Sequence, residues 1–359
     1  MHIDFHHAVT YVVARIAGFD HKEADIVSYC SQYVDDATNT GTITFDNNAM
    51  YSRISSAHQM FDARNLDNLA NHQVWLPFHF LPGNGGMQVD KNPSGGFIEK
   101  IVCCPDSPVA EDMIQACIAD KETGYGLHRL GITMHVFADT WAHQGFAGVE
   151  HAINCVSKLD DVDGPEKSAW RKLKEKVKDQ WSRIVSKVLR GFPLGHGCAL
   201  TYPDLPYLKW GYINYKGEKI ERNNADAFLA AADAMCKAMQ RYRNVAVNGI
   251  PESERVKIRE MFSTINEENA DKRHAKWLAA IGSGDFSFGP QVLSYQAKGQ
   301  DSWKFKALGT AKDIDAAGEK FTYNASFLAS DWKMFHDALQ AHRFAVIYDI
   351  LPRYGICAA

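Results

Sequence analysis

The segment Gly126–Gln144, GLHRLGITMHVFADTWAHQ, decides how the rest of the chain is read. Leu127, Leu130, Ile132, Met134, Val136 and Phe137 give it apolar bulk, and Gly145 follows as a stop, so the pattern predicts one long helix. Each helical residue advances by about 100°, and steps of four drift by only about 40°. His135, Asp139 and His143 therefore share one stripe of an apolar helix. A carboxylate buried between two imidazoles is costly unless each group is paired or bound to a metal. His135 and His143 stand about 12 Å apart along the axis, whereas zinc–nitrogen bonds are about 2.0–2.1 Å. One ion does not easily reach both, and Asp139, with two oxygens, is placed to bridge. The spacing favours two or three ions, with paired ions about 3.5–4 Å apart. Two core histidines sharing a buried hydrogen bond with Asp139 would give the same pattern, and spacing alone leaves both readings open.

Working outward, Phe5 to Gly18 is apolar at helical spacing, and Asp20 is expected to cap a second helix that ends near Asp35-Asp36. Residues 37–55 are polar and turn-rich, with a short extended pair expected around Ile43 and Tyr51. Residues 76–98 read as loop, because LPFHFLPG carries two prolines and glycine clusters follow. The pattern G-x-x-x-x-G-K-[ST] is absent, which argues against a phosphate loop. Further helices are expected at about Pro108–Lys121, 160–190, 222–246, 251–281 and Asn324–Ile350, the last stopping at Leu351-Pro352. Residues 283–323 look mixed and glycine-rich. The expected fold is all-α, a multi-helix globule with long loops and little strand. A single domain over 1–359 is expected, with a metal core at about 1–210 and a helical C-terminal part at about 211–359.

Other residues join the stripe as candidate ligands. His6 and His7 open the first helix about 100° apart, so one faces a site and the other faces away. Asp35-Asp36 stand at a helix C-terminus, where adjacent acids oppose the macrodipole and ask for a cation. His79 lies in the rigid apolar setting PFHFLP, and His196 lies between two glycines that permit close backbone approach. His58 suits a cap as well as a ligand, and Asp204, in YPDLP, suits a turn as well as a ligand. His128, two turns before His135, is assigned a supporting position behind the ligands.

The bulk numbers bound the function. The 359 residues are 46% hydrophobic and 23% charged, enough for a large core rather than a disordered chain. A net charge of -4 excludes the broad basic field of a duplex binder, though a local groove for single strands is compatible with it. Eight scattered cysteines form no C-x-x-C and read as reduced and mostly buried. No apolar run reaches eighteen residues, so no membrane span is expected. The opening Met1–His7 lacks the pattern of a secretory signal, which gives a cytoplasmic expectation.

His135, Asp139 and His143, with His6, Asp36, His79-Phe80 and His196, resemble the superfamily of zinc-dependent phospholipase C and fungal single-strand nucleases. Its hallmark is a helix bearing H-x3-D with another His several residues on. The resemblance implies an α-helical fold with a three-zinc cluster at the base of a cleft, cleaving phosphodiester or phosphomonoester bonds. It also implies a processed N-terminal residue whose amine and carbonyl hold one metal. The superfamily's H-x3-E pair is missing, since Leu200 stands four residues after His196. The whole chain looks more closely like a bacterial family of uncharacterised proteins, on segments such as DFHHAVTYVVARIAGF and SQYVDDAT.

The expectation is a metal-dependent phosphoester hydrolase using a di- or trinuclear His/Asp cluster. Zinc is the expected metal, with manganese or iron as alternatives. The expected ligands are His6, Asp36, His79, His135, Asp139, His143 and His196, with His7, Asp35, His58 and Asp204 as weaker candidates. Asp36 and Asp139 are the expected catalytic carboxylates, and Tyr202, Trp141 or Trp210 would line a substrate pocket unless they are core. A lipid, small-molecule or single-stranded nucleic-acid phosphoester all fit as substrate. The rivals are a non-catalytic metal-stabilised binding protein and, ranked low for want of Glu-x-x-His pairs, a di-iron bundle.

Overall fold

The computed structural model describes residues 1–57, 68–161 and 194–357. A π-helical turn, Asp4–Val9, runs straight into α1 (Thr10–Ile16). Such wide turns often mark functional sites, and this one carries His6 and His7. Asp20 caps α2 (His21–Asp36) by a reciprocal pair: Asp20 Oδ1 accepts from the Glu23 amide at 2.8 Å, and Glu23 Oε2 accepts from the Asp20 amide at 3.0 Å. The hairpin β1 (Gly41–Phe45) and β2 (Met50–Arg53) follows, with Ile43 opposite Tyr51.

Helix α3 (Asn68–Phe78) runs through Pro77, so the first part of the expected 76–98 loop is helical. The amides of His79 and Phe80 both return to the Trp75 carbonyl and close that helix. Next come α4 (Pro108–Ala119) and α5 (Gly126–Ala142), and then β3 (Ser157–Asp161), β4 (Lys209–Ile213) and β5 (Lys219–Asn223). The C-terminal part adds α6 (Asn224–Tyr242), α7 (Glu252–Thr264), α8 (Ala270–Ser283), α9 (Trp303–Leu308), β6 (Lys320–Phe321) and α10 (Asp331–Phe344). The expected 251–281 helix is thus two, because Asn269 caps a new start by accepting from the Lys272 amide. Asp160 and Asp161, the start of the expected 160–190 helix, are strand, while the rest of that helix and His58 lie outside the described residues.

The all-α expectation is overturned. Among the described residues, 53% are helical and 10% strand, and two three-stranded sheets make this a mixed α/β fold. One sheet has the order β2-β1-β6, the other β3-β4-β5. The strands escape a periodicity reading because they are only two to five residues long and pair across distance. β6 lies parallel to β1, with Phe321 beside Phe45. The β4–β5 hairpin turns at Gly217, whose φ is 82°, with Asn214 Oδ1 accepting from the Lys216 and Glu218 amides.

From His128 to Ala142 every residue of α5 is buried, as expected of a helix enclosed on all sides. It packs against α2, α4, α6 and α10. The α2 contact is close because of Gly131. A Cβ there would lie 2.4 Å from the Val27 carbonyl oxygen and 2.5 Å from Cys30 Cβ. That proximity sets the end of α2 against the polar stripe of α5. The C-terminal part closes the other side, with α6 on α1 and α5 and α8 on the Asp4–Val9 turn.

Candidate metal centre

Asp139 sits at the middle of a buried polar cluster and is only 1% exposed. Its Oδ1 faces the Met1 α-amino group at 2.6 Å and His6 Nε2 at 3.2 Å. Its Oδ2 faces His135 Nε2 at 3.3 Å and His79 Nδ1 at 3.6 Å. Asp35 Oδ1, from the end of α2, stands 3.8 Å from both His79 Nδ1 and His135 Nε2. One turn beyond Asp139, His143 Nε2 lies 3.8 Å from Asp204 Oδ1, and His196 Nε2 lies 3.5 Å from Asp204 Oδ2. The Met1 amine, 3.3 Å from Asp204 Oδ1, joins the two halves. Within each of three sets, one donor atom per residue lies within 4.8 Å of the others: His6, Asp35 and His135; His79, His135 and Asp139; His143, His196 and Asp204.

Local structure explains how distant segments reach this point. His79 and Phe80 leave α3 together, so His79 enters the cluster while the Phe80 ring stacks on His143 at 4.4 Å. Gly195, at φ 54°, has its Cα pressed on the same ring; a Cβ there would lie 2.4 Å from Phe80 Cζ. The adjacent His196 ring is thereby held 4.8 Å from that of His143.

Backbone carbonyls orient four of the imidazoles. His135 Nδ1 is 2.7 Å from the Ser31 carbonyl, and His79 Nε2 is 2.8 Å from the Ser56 carbonyl. His143 Nδ1 is 2.7 Å from the His79 carbonyl, and His196 Nδ1 is 2.9 Å from the Leu200 carbonyl. A carbonyl only accepts, so each of these nitrogens carries the N–H. In the neutral ring the other nitrogen is then a lone pair, and all four lone pairs point into the cluster. His135 Nε2 and His79 Nδ1 face one another at 3.2 Å in this way. Two lone pairs and a carboxylate oxygen repel unless a cation lies among them. Metal-ligating histidines are commonly held by this kind of outer hydrogen bond.

The electrostatics agree. Burial pushes the Asp139 carboxyl up, but His143, the Met1 ammonium, His135 and His6 outweigh it and hold the group well below the usual range. Asp204 is likewise held low against burial by His196, the Met1 ammonium, His143 and His2. Burial lowers the Met1 amine, yet Asp139, Asp204 and Asp35 raise it to about 11. Burial lowers His6 to about 3, helped by His135 and the Met1 ammonium, and burial lowers His196 to about 4. His6 Nε2 is near Asp139 in distance but lacks hydrogen-bond geometry, and both its ring nitrogens and Asp204 Oδ1 are buried without a hydrogen-bond partner. Three carboxylates thus meet one ammonium among imidazole lone pairs. The donor set fits divalent ions of the zinc type.

The structure brings together His6, His79, His135, Asp139, His143, His196, Asp35 and Asp204. Asp36 stands apart, accepting from Tyr295 Oη at 2.6 Å and Gln32 Nε2 at 3.2 Å. His7 points the other way, its Nδ1 2.8 Å from His274 Nε2. His128 is bonded to Asp331 at 3.1 Å rather than to the cluster. Trp210 is fully buried with its Nε1 donating to Asn224, and Trp141 is core. His2 was not among the sequence candidates, and an N-terminal amine entered only through the resemblance.

The chain belongs to DUF6765, a family of unknown function whose model matches residues 1–350. No curated protein and no solved structure matches the chain.

Proposed function

We propose that the chain is a metal-dependent hydrolase of phosphoester bonds, built on a His/Asp centre for two or three divalent ions, zinc foremost. The observation that carries the reading is the confrontation of His135 Nε2 and His79 Nδ1 beside Asp139 Oδ2. Asp35, His79, His135 and Asp139 Oδ2 would hold one ion. His6 and Asp139 Oδ1 would contribute to a second, and His143, His196 and Asp204 would hold a third. Divalent ions in such a centre acidify water and neutralise charge on phosphoryl and leaving oxygens.

The chain's own groups divide the remaining work. Asp139 is buried and bridging, so it sets the spacing of two donor sets. The carbonyls of Ser31, Ser56 and His79 lock the rings, so little reorganisation is needed on binding. The Asp35 side chain, 33% exposed, is the most accessible carboxylate of the centre. It is suited to orient a water and accept its proton. The resemblance of the H-x3-D-x3-H helix to zinc-dependent phospholipase C and single-strand nucleases supports phosphoester substrates. Lipid, single-stranded nucleic acid and small phosphoesters share that chemistry.

The near-complete burial of His6, His79, His135 and Asp139 favours a second reading, a metal-stabilised binding protein without turnover. Metal analysis of the purified chain, followed by phosphodiester and phosphomonoester substrates with added zinc or manganese, separates the two. Two or three ions with metal-dependent turnover support hydrolysis. Stoichiometric metal without turnover supports the second reading, and no metal under any condition rejects both.

A further inference from the structure

Arg273 of α8 is fully buried, far in sequence from the centre, and turns its Nε and one Nη on the start of the chain. Its Nε and one Nη donate to the two carboxylate oxygens of Asp4 at 2.7 and 3.1 Å. The same Nη donates to His2 Nδ1 at 3.0 Å. The other Nη donates to the carbonyls of Glu267 and Glu268 at 2.9 and 3.0 Å. Arginine cannot accept, so His2 Nδ1 must be the acceptor and the neutral ring carries its proton on Nε2. That Nε2 faces Asp204 Oδ2 at 4.0 Å, an electrostatic contact rather than a hydrogen bond.

We propose that Arg273 is a positioning residue for the metal centre, acting through Asp4 and His2 on the Met1–His6 segment and on Asp204. The inference rests on the metal reading above and assigns a task to the C-terminal part that the resemblance leaves without one. Asp4 anchors the first turn of the π-helix that delivers His6. His2, polarised by the guanidinium, holds Asp204 toward His143 and His196. Lysine cannot replace the five-donor fork, since it offers one nitrogen to partners spread around a plane.

The test is cobalt(II) titration of the metal-free chain, read by visible absorption and by bound metal per chain. The variants are His2→Leu, His2→Gln and Arg273→Lys. His2 is a third exposed, and circular dichroism of each variant checks that the fold is kept. His2→Leu is expected to weaken one class of cobalt site by up to about tenfold, the lower end of what losing an outer-shell partner costs, since its contact to Asp204 is electrostatic, and to alter its spectrum. His2→Gln, with an amide oxygen for Arg273 and an amide N–H for Asp204, is expected to restore both. Arg273→Lys is expected to weaken the same class further. Wild-type affinity and spectrum in His2→Leu overturn the proposal while leaving the metal reading intact. A wild-type chain that takes up no cobalt overturns the metal reading itself, and this proposal with it.

Discussion

Asp35 and Asp36 are neighbours in sequence but serve different partners: Asp35 Oδ1 stands 3.8 Å from two imidazole nitrogens, while Asp36 Oδ2 accepts from Tyr295 at 2.6 Å. Burial raises the Asp36 carboxyl, and the Tyr295 hydrogen bond works against that rise. Asp35→Asn is therefore expected to lower metal-dependent phosphodiester turnover at least 100-fold. Asp36→Asn is expected to change it less than about tenfold and to act mainly on stability, by about 1–2 kcal/mol, through the Tyr295 bond. Paired rate measurements under saturating zinc check this. Equal losses in the two variants would refute the assignment of Asp35.

Asp139→Asn keeps the shape and removes the charge that balances the Met1 ammonium and faces His6, His79 and His135. Loss of at least one bound ion per chain is expected, together with at least a 100-fold fall in turnover. Elemental analysis after dialysis gives the count. An Asp139→Asn chain holding its full complement of metal contradicts the bridging role.

Metal is also expected to stabilise the fold, because the proposed ligands come from α2, α5, the turn before α1 and the loops after α3. A ligand at 100 times its Kd contributes about 2.7 kcal/mol per site. Removing metal with a chelator is expected to lower Tm, and zinc is expected to restore it. Identical melts with and without the chelator count against an occupied centre.

Gly131 sets how closely α2 approaches α5. Gly131→Ala puts a Cβ 2.4 Å from the Val27 carbonyl oxygen, so one helix has to move. Overpacking of this kind costs about 1–3 kcal/mol. The shift also separates the Ser31 carbonyl and Asp35 from His135, so zinc affinity should fall with Tm. Unchanged affinity in the variant, measured by competition with a chromogenic chelator, counts against this coupling.

Buried histidines make the metal-free chain acid-sensitive. Burial lowers His6, His336 and His342 to about 3, and lowers His7 well below the ordinary 6.5. Between pH 6.5 and about 3 the unfolded chain binds these protons and the native chain does not. The contribution of these histidines to stability is therefore complete above pH 6.5 and is lost as pH falls below it, at about 1.4 kcal/mol per pH unit for each group. Urea unfolding of the metal-free chain from pH 8 to pH 5 tests the sign. A flat profile contradicts it.

What the sequence by itself determined is local. The H-x3-D-x3-H stripe of α5, the Asp20 cap of α2 and the pairing of Ile43 with Tyr51 follow from periodicity, capping chemistry and turn composition, each acting over a few residues. Only the tertiary structure decided the rest. It set β6 beside β1 and built the β3-β4-β5 sheet, against the all-α expectation, because strands of two to five residues owe their existence to partners elsewhere. It chose Asp35 over Asp36, turned His6 inward and His7 toward His274, and joined Asp4 to Arg273 across 269 positions. Convergence of that kind depends on how helices pack and where loops return, and no window of sequence contains both partners.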